Sequence, residues 1–309
     1  MSLRVAILFF LNAGLLAGCS NDADSIAASE QPSQTLTILV TNDDGIAAPG
    51  IDALVNGLLE LRDVELKLVA PAENQSGASD QTTEGDLVSE DSATISGFQG
   101  VAVYGFPADA VNVALEDLGI VPHLVIVGVN KGHNLGPLVV TSGTVGAART
   151  AARAGYPATA ASVSFFPEYA DYDAAVTLVT EWINDNRDAL IDGSASAEAV
   201  TSFNVPGCTQ GEIRELVAVP LAESIPEEQV SWFTTDCSLK PDSPPTTDID
   251  ALYKGHAAVT AVPLDLQWTV PELRSHLSVI QRPLSAQKCC NMRSSRVSQC
   301  LQVIASLQC

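Results

Sequence analysis

Positive charge is scarce in this 309-residue chain: 15 Lys and Arg stand against 37 Asp and Glu, a formal net charge of −22. Such a field repels phosphate backbones and argues against sequence-independent binding to a nucleic-acid duplex. It leaves room for a small phosphate, provided that a metal ion locally reverses the sign. No GxGxxG run and no GxxxxGK[ST] run is present, which removes the dinucleotide fingerprint and the P-loop. The cysteine spacing fits no zinc pattern. Long apolar runs are missing too. The longest near the start, Val5 to Leu16, is too short for a permanent bilayer-spanning helix.

That short run follows Arg4 and ends in Leu16-Ala17-Gly18-Cys19, which resembles the bacterial lipobox, whose Cys is lipidated and becomes the mature N-terminus. Residues 1–19 are therefore expected to be a lipoprotein signal peptide, and 20–34, small and polar, a flexible tether. The expected location is the bacterial cell envelope, periplasmic or surface-facing, held to the membrane by a lipid at Cys19. In an oxidising compartment Cys208 and Cys237 are candidates for a structural disulfide. Cys289, Cys290, Cys300 and Cys309 fall in a stretch that, from Arg282 onward, is basic and has no acid. Residues 271–309 read as a poorly ordered tail.

Between them the pattern alternates. Leu36–Thr41 (LTILVT), Val64–Ala70 and Leu124–Val129 (LVIVGV) are β-rich apolar runs of buried-strand length. Gly50–Leu61, after Pro49, places Ile51, Leu54, Val55, Leu58 and Leu59 on one helical face. Further helices are expected over 108–118, 144–154 and 172–186, and a strand over 158–165. Thr94–Val103 suits one or two strands, and the acidic stretch 80–92 a surface loop or hairpin. Alternating strands and helices argue for an α/β fold, a parallel sheet covered on both faces. Residues 200–270 read as late strands and a hairpin extension on a core of 35–200.

In such sheets ligands bind beyond the carboxyl ends of the strands. Three of those ends carry oxygen donors: Asp43 and Asp44, Ser76 in NQSG, and Asn130. Two carboxylates, a hydroxyl and an amide suit a hard divalent cation. Adjacent carboxylates are costly in a buried turn unless a cation sits between them, although solvated DD turns are common. A second group is the Gly-rich stretch from Asn130 to Gly136, followed by Ser142-Gly143-Thr144 at a helix start. Backbone N–H groups and hydroxyls there could hold an anion, or Ser142 could simply cap the helix. Lys131 could pair with a phosphate. His133 and His256 could be an acid or base, or satisfied structural histidines.

TNDDGIAAPGI, APAENQSGAS, GFPADAV and VGVNKGHNLG…SGTVGAARTAARAGYPATAAS, in this order, resemble the motif series of the SurE family. The likeness is strong from Leu36 to Ser164 and thinner to Leu266, where FNVP and TDIDALYKGHAAVTAVPLDL still match. The resemblance implies a Rossmann-like three-layer sandwich with a mostly parallel sheet and a C-terminal extension exchanged in a homodimer or tetramer. It also implies hydrolysis of nucleoside 5′- and 3′-monophosphates with one divalent ion, Mg²⁺ or Mn²⁺. Carried over, Asp43, Asp44, Ser76 and Asn130 bind the metal, and Asn134, Ser142, Gly143 and Thr144 face the phosphate. Asp43 and Asp44 are the catalytic candidates, as a base for metal-activated water or as the site of an aspartyl-phosphate. The chain departs from the family at Pro137 and Leu138, where an acid is usual, and at Thr141, where an aromatic is usual. A lipid-anchored nucleotide- or metal-binding protein without turnover is the alternative reading.

Overall fold

The computed structural model describes residues 34–226 and 234–266. The expected signal peptide with its anchor at Cys19, nearly all of the expected tether and the expected tail from 271 lie outside them.

Strands β1 (Leu36–Thr41), β2 (Val64–Pro71), β3 (Ser89–Ala93), β4 (Gln99–Val103), β5 (Leu124–Lys131), β6 (Ala158–Val163), β7 (Ala199–Asn204), β8 (Cys208–Gln210), β9 (Arg214–Ala218), β10 (Thr235–Asp236) and β11 (His256–Pro263) alternate with helices α1 (Pro49–Leu59), α2 (Pro107–Asn112), α3 (Gly143–Arg153), α4 (Tyr172–Ile191) and α5 (Asp248–Tyr253). Nine strands form one sheet in the order β3-β4-β2-β1-β5-β6-β7-β11-β9. From β4 to β7 all neighbours run parallel, and antiparallel pairs occur only at β3–β4 and β7–β11. This is the expected α/β sandwich.

The core explains the layers. Along β1 and β5 successive side chains alternate between faces: Ile38, Val40, Leu124 and Ile126 join one buried cluster, Leu39, Val125 and Val127 the other. The first cluster packs under α1 and α4, through Ile51, Leu54, Leu58, Val179 and Ile183. The second packs under α2 and α3, where Ala147, Ala148, Ala151 and Ala152 allow a close approach. Pro49 opens α1, its fixed φ suiting a first turn, and the Ser142 hydroxyl caps α3 by accepting from Val145 N–H.

Some boundaries differ from expectation. The stretch read as a surface loop or hairpin is both: it runs as loop to Val88 and then enters β3 (SEDSA), which its antiparallel partner β4, not its own apolarity, holds as an edge strand. The helix after Pro107 changes to a π turn at Val113–Asp117. Strands β7, β11 and β9 continue the main sheet beyond β6. Instead of an antiparallel hairpin, β8 and β10 pair parallel in a separate two-stranded ribbon, bridged by the disulfide Cys208–Cys237 with a Cα–Cα separation of 5.5 Å.

Candidate active site

Chain order reverses between β1 and β5: β2 and β4 lie to one side of β1, and β5, β6 and β7 to the other. The crevice above such a switch point is where an open α/β sheet binds its ligands. Asp43 and Asp44 follow β1, and Asn130 lies near the end of β5, so the topology brings these three together. A register shift in the β5–β6 pairing between Val127 and Asn130 falls just before that Asn.

The turn after β1 is closed by Asn42, whose Nδ2 donates to Gly45 O at 2.8 Å and whose Oδ1 accepts from Gly45 N–H at 3.2 Å. Both bonds close the turn that carries the two carboxylates. Asp43 is buried; its Oδ1 accepts from Thr144 Oγ1 at 2.7 Å, and Gln75 N–H donates to its carbonyl at 2.7 Å. A Cβ on Gly143 would stand 2.9 Å from Asp43 Oδ2, so the start of α3 presses directly on that carboxylate, and only Gly leaves space there. Burial, reinforced by the charge of Asp44, pushes the Asp43 carboxyl up to about 7, against the lowering effect of the Thr144 hydroxyl.

Asp44 accepts from Asn74 Nδ2 at 2.8 Å and from the Lys131 backbone N–H at 3.0 Å. Burial also raises its carboxyl, opposed by that N–H, the Lys131 charge and the Asn74 amide. It opens on a cleft of about 310 Å³ lined also by Ala48, Pro49, Asn74, Lys131 and Tyr172. Lys131 Nζ lies 5.8 Å from the centroid of the Phe165 ring, a cation–π contact at the rim.

Ser76 is exposed, on a loop tied to the site by the Gln75–Asp43 bond and by Ser79, whose N–H and Oγ donate to Thr141 O and Val140 O. Asn130 Nδ2 donates to Gly132 O at 2.6 Å, which leaves its oxygen as the only atom of that amide able to ligate a cation. Among the described residues no three His, Cys, Asp or Glu come together as a metal cluster. The donors that do converge are hard oxygens. They fit a hard divalent cation and not a soft metal. A buried carboxylate beside a second acid is also a charge distribution that a dication would relieve.

In the first turn of α3 the Ser142 hydroxyl already takes the Val145 N–H and Asp43 takes the Thr144 N–H, so the helix start draws an anion chiefly through its dipole. Asn134 is less available than expected: its Nδ2 donates to Thr144 Oγ1 at 3.2 Å and Ser162 Oγ at 2.9 Å. Thr144 in turn directs its proton to Asp43, so its hydroxyl serves the carboxylate before any phosphate. His133 is buried, with Nε2 2.7 Å from Val205 O, and burial pushes its ring down to about 4, which favours the neutral ring. His256 Nδ1 lies 3.2 Å from Glu215 O within the β11–β9 edge, away from the carboxylates. Pro137 and Leu138 sit in a 3-10 segment, where Leu138 packs against the cluster of Leu135, Ile249 and Leu252. That departure leaves the carboxylate pair untouched.

Sequence reasoning passed over Asn42, Asn74, Tyr172 and Asn204. All but Tyr172 lie inside strings already singled out, TNDDG, ENQSG and FNVP, so the signal was an asparagine recurring in each motif.

The model of the family described as Survival protein SurE matches residues 38–228. The chain is 36% identical over 244 residues to the 5′-nucleotidase SurE of Variovorax paradoxus, covering 75% of this chain and 93% of that one. It is 32% identical over 241 residues to the 5′-nucleotidase SurE of Brevibacillus brevis, covering 74% and 91%. The crystal structure of the SurE protein from Aquifex aeolicus superposes with a TM-score of 0.59 at 26% identity, covering 75% of this chain and 94% of that one. With sequence, fold and the ordered site motifs in agreement, the chain belongs to the SurE family.

Proposed function

We propose that this protein is a phosphomonoesterase of the 5′-nucleotidase kind, hydrolysing nucleoside 5′- and 3′-monophosphates with the help of one divalent cation. The observation that carries the reading is the contact of Gly143 with Asp43, which brings an anion-receiving helix start against a buried carboxylate at the switch point. Relatives over three quarters of the chain are named 5′-nucleotidases, which supports the same class.

In this reading Asp43, Asp44, Ser76 and Asn130 hold the cation, which when bound supplies a polarised water nucleophile and offsets charge on the phosphoryl oxygens. The chain's own groups do the rest. The α3 start receives the phosphoryl oxygens and stabilises the charge that develops on them. Asp44, open to the cleft, accepts the proton of the attacking water, while Asp43, held on one oxygen by Thr144, keeps its orientation. As the bond from phosphorus to the ester oxygen breaks, the proton held on Asp44 passes to that oxygen, and the cleft beside Tyr172 and Pro49 takes the leaving nucleoside.

The test is hydrolysis of p-nitrophenyl phosphate and a panel of nucleotides. Activity is expected with Mn²⁺ or Mg²⁺, with loss in a chelator and recovery on adding the metal back. Nucleotide binding without phosphate release under either metal would instead establish the binding-protein reading.

The setting belongs to the same proposal: a homodimer or tetramer, lipid-anchored at Cys19 in the cell envelope. The Cys208–Cys237 bridge supports an oxidising compartment. No helix among the described residues is long and apolar enough to cross a membrane. Cys19→Ser is expected to move the protein from the membrane fraction to the soluble one, as followed by cell fractionation; an unchanged distribution would remove the anchor.

A further inference from the structure

We propose that Asn204, at the end of β7, is a positioning residue that sets the orientation of the Asp43 carboxylate through Asn134 and Thr144. The inference rests on the phosphatase reading above, in which Asp43 is a metal ligand.

The sheet register prepares the relay. Asn130 pairs with Ser162 across β5–β6, and Ser162 pairs with Asn204 across β6–β7, so three polar residues form one row at the carboxyl ends of three adjacent strands. The row closes the apolar run of β5 and ends β7, at the carboxyl ends of the strands where the site lies.

The contacts then run in one direction. Asn204 holds the Asn134 main chain with both ends of its amide: Oδ1 accepts from Asn134 N–H at 2.8 Å, and Nδ2 donates to Asn134 O at 3.0 Å. A reversed amide would set oxygen against oxygen and NH₂ against N–H, so the network fixes its orientation. From this anchored backbone, Asn134 Nδ2 reaches Thr144 Oγ1 at 3.2 Å and Ser162 Oγ at 2.9 Å. Thr144 has one hydroxyl proton, and with an N–H already donated to its oxygen that proton goes to Asp43 Oδ1 at 2.7 Å.

Asn204, Asn134, Ser162, Thr144 and Asp43 are all buried, between 0% and 7% exposed, so water cannot replace a lost partner. One oxygen of Asp43 is thereby fixed by a chain that starts on β7. The other lies against Gly143, where the anion-receiving turn begins. Groups that orient a ligating carboxylate in this way govern metal affinity without touching metal or substrate.

The test compares wild type with Asn204→Ala and, because loss of a buried amide can unfold a protein, with the milder Ser162→Ala. Two quantities are measured on protein whose folding is checked by circular dichroism: steady-state hydrolysis of p-nitrophenyl phosphate, and Mn²⁺ binding to the metal-free protein by calorimetry. For Asn204→Ala, kcat is expected to fall about 10- to 100-fold with KM within about 2-fold, and Mn²⁺ affinity to fall about 10-fold. Ser162→Ala should move both in the same direction, about 3-fold. Because the links act in series, Asn204→Ala combined with Thr144→Val should be no worse than Thr144→Val alone.

Unchanged kcat and Mn²⁺ affinity in Asn204→Ala or Ser162→Ala would overturn the proposal, as would losses that multiply in the double variant. A wild type that neither turns over nor binds Mn²⁺ would sink the phosphatase reading and the relay with it. An active wild type beside an unaltered Asn204→Ala would sink the relay alone.

Discussion

Replacing Asp43 with Asn is expected to lower phosphomonoester turnover by at least about 100-fold, while making the metal-free protein more stable above pH 7. The two effects have one cause. Asp43 is buried beside Asp44, and its carboxyl is pushed from the ordinary 3.8 up to about 7. Between those values the folded chain holds a proton that the unfolded chain has released. Stability from this group is therefore greatest below about pH 4, declines as pH rises, and has reached its minimum above about 7. A shift of that size corresponds to a few kcal/mol, on the order of 1.4 per pH unit. Asparagine is a near isostere of the protonated acid and avoids the cost. Melting curves in a chelator should thus coincide for wild type and Asp43→Asn near pH 4, and the variant should melt higher at pH 8. With Mn²⁺ added at pH 8 the order should reverse, since the cation binds the carboxylate and has little hold on the amide. A variant that is active, or that melts below wild type in chelator at pH 8, would show that Asp43 is not an ill-solvated ligand awaiting a cation.

This trade of stability for a poised charge was only half visible in the sequence. The pair followed an apolar run, LTILVT, and such a run reads as a buried strand from its own residues. For the same reason β1, β2 and β5 and the helices over them were legible, and with them the strand ends that carry Asp43, Asp44 and Asn130. Edge strand β3 was legible only as one arm of a possible hairpin. SEDSA has no apolar period, and it is a strand only because Ser89 to Ala93 pair with Val103 to Gln99. The site's supporting contacts were hidden in the same way. Asn74 reaches Asp44 across 30 residues, and Asn204 reaches Asn134 across 70, distances over which no local pattern operates. Asn134 and Thr144 were expected at the phosphate on resemblance, and the geometry gives them a prior obligation to each other and to Asp43. His133 illustrates the converse: as a residue type it invites proton transfer, yet burial against Val205 O pushes its ring toward the neutral form.

Removing the disulfide should produce the largest stability loss of any change outside the core. Cys208 and Cys237 are 29 residues apart, and closing a loop of that length in the unfolded chain is worth about 3–4 kcal/mol. Cys208→Ser with Cys237→Ser is therefore expected to lower the melting temperature by about 10 °C. The ribbon should survive the loss at lower temperature, because Arg214 holds it independently. That guanidinium donates to Cys237 O at 2.8 Å, to Leu239 O, and through Nε to Lys254 O at 3.0 Å. Neither cysteine belongs to the turn after β1, the Ser76 loop or the start of α3, so kcat below the new melting temperature should stay within about 2-fold of wild type. Wild type melted in a thiol reductant should match the double variant. If both melt with the oxidised protein, the Arg214 clamps already restrain the segment and the bridge adds nothing. If the reduced forms fall by the expected amount, full stability requires an oxidised bridge. That requirement would agree with a compartment in which disulfides persist, the setting proposed from the lipobox-like Leu16–Cys19.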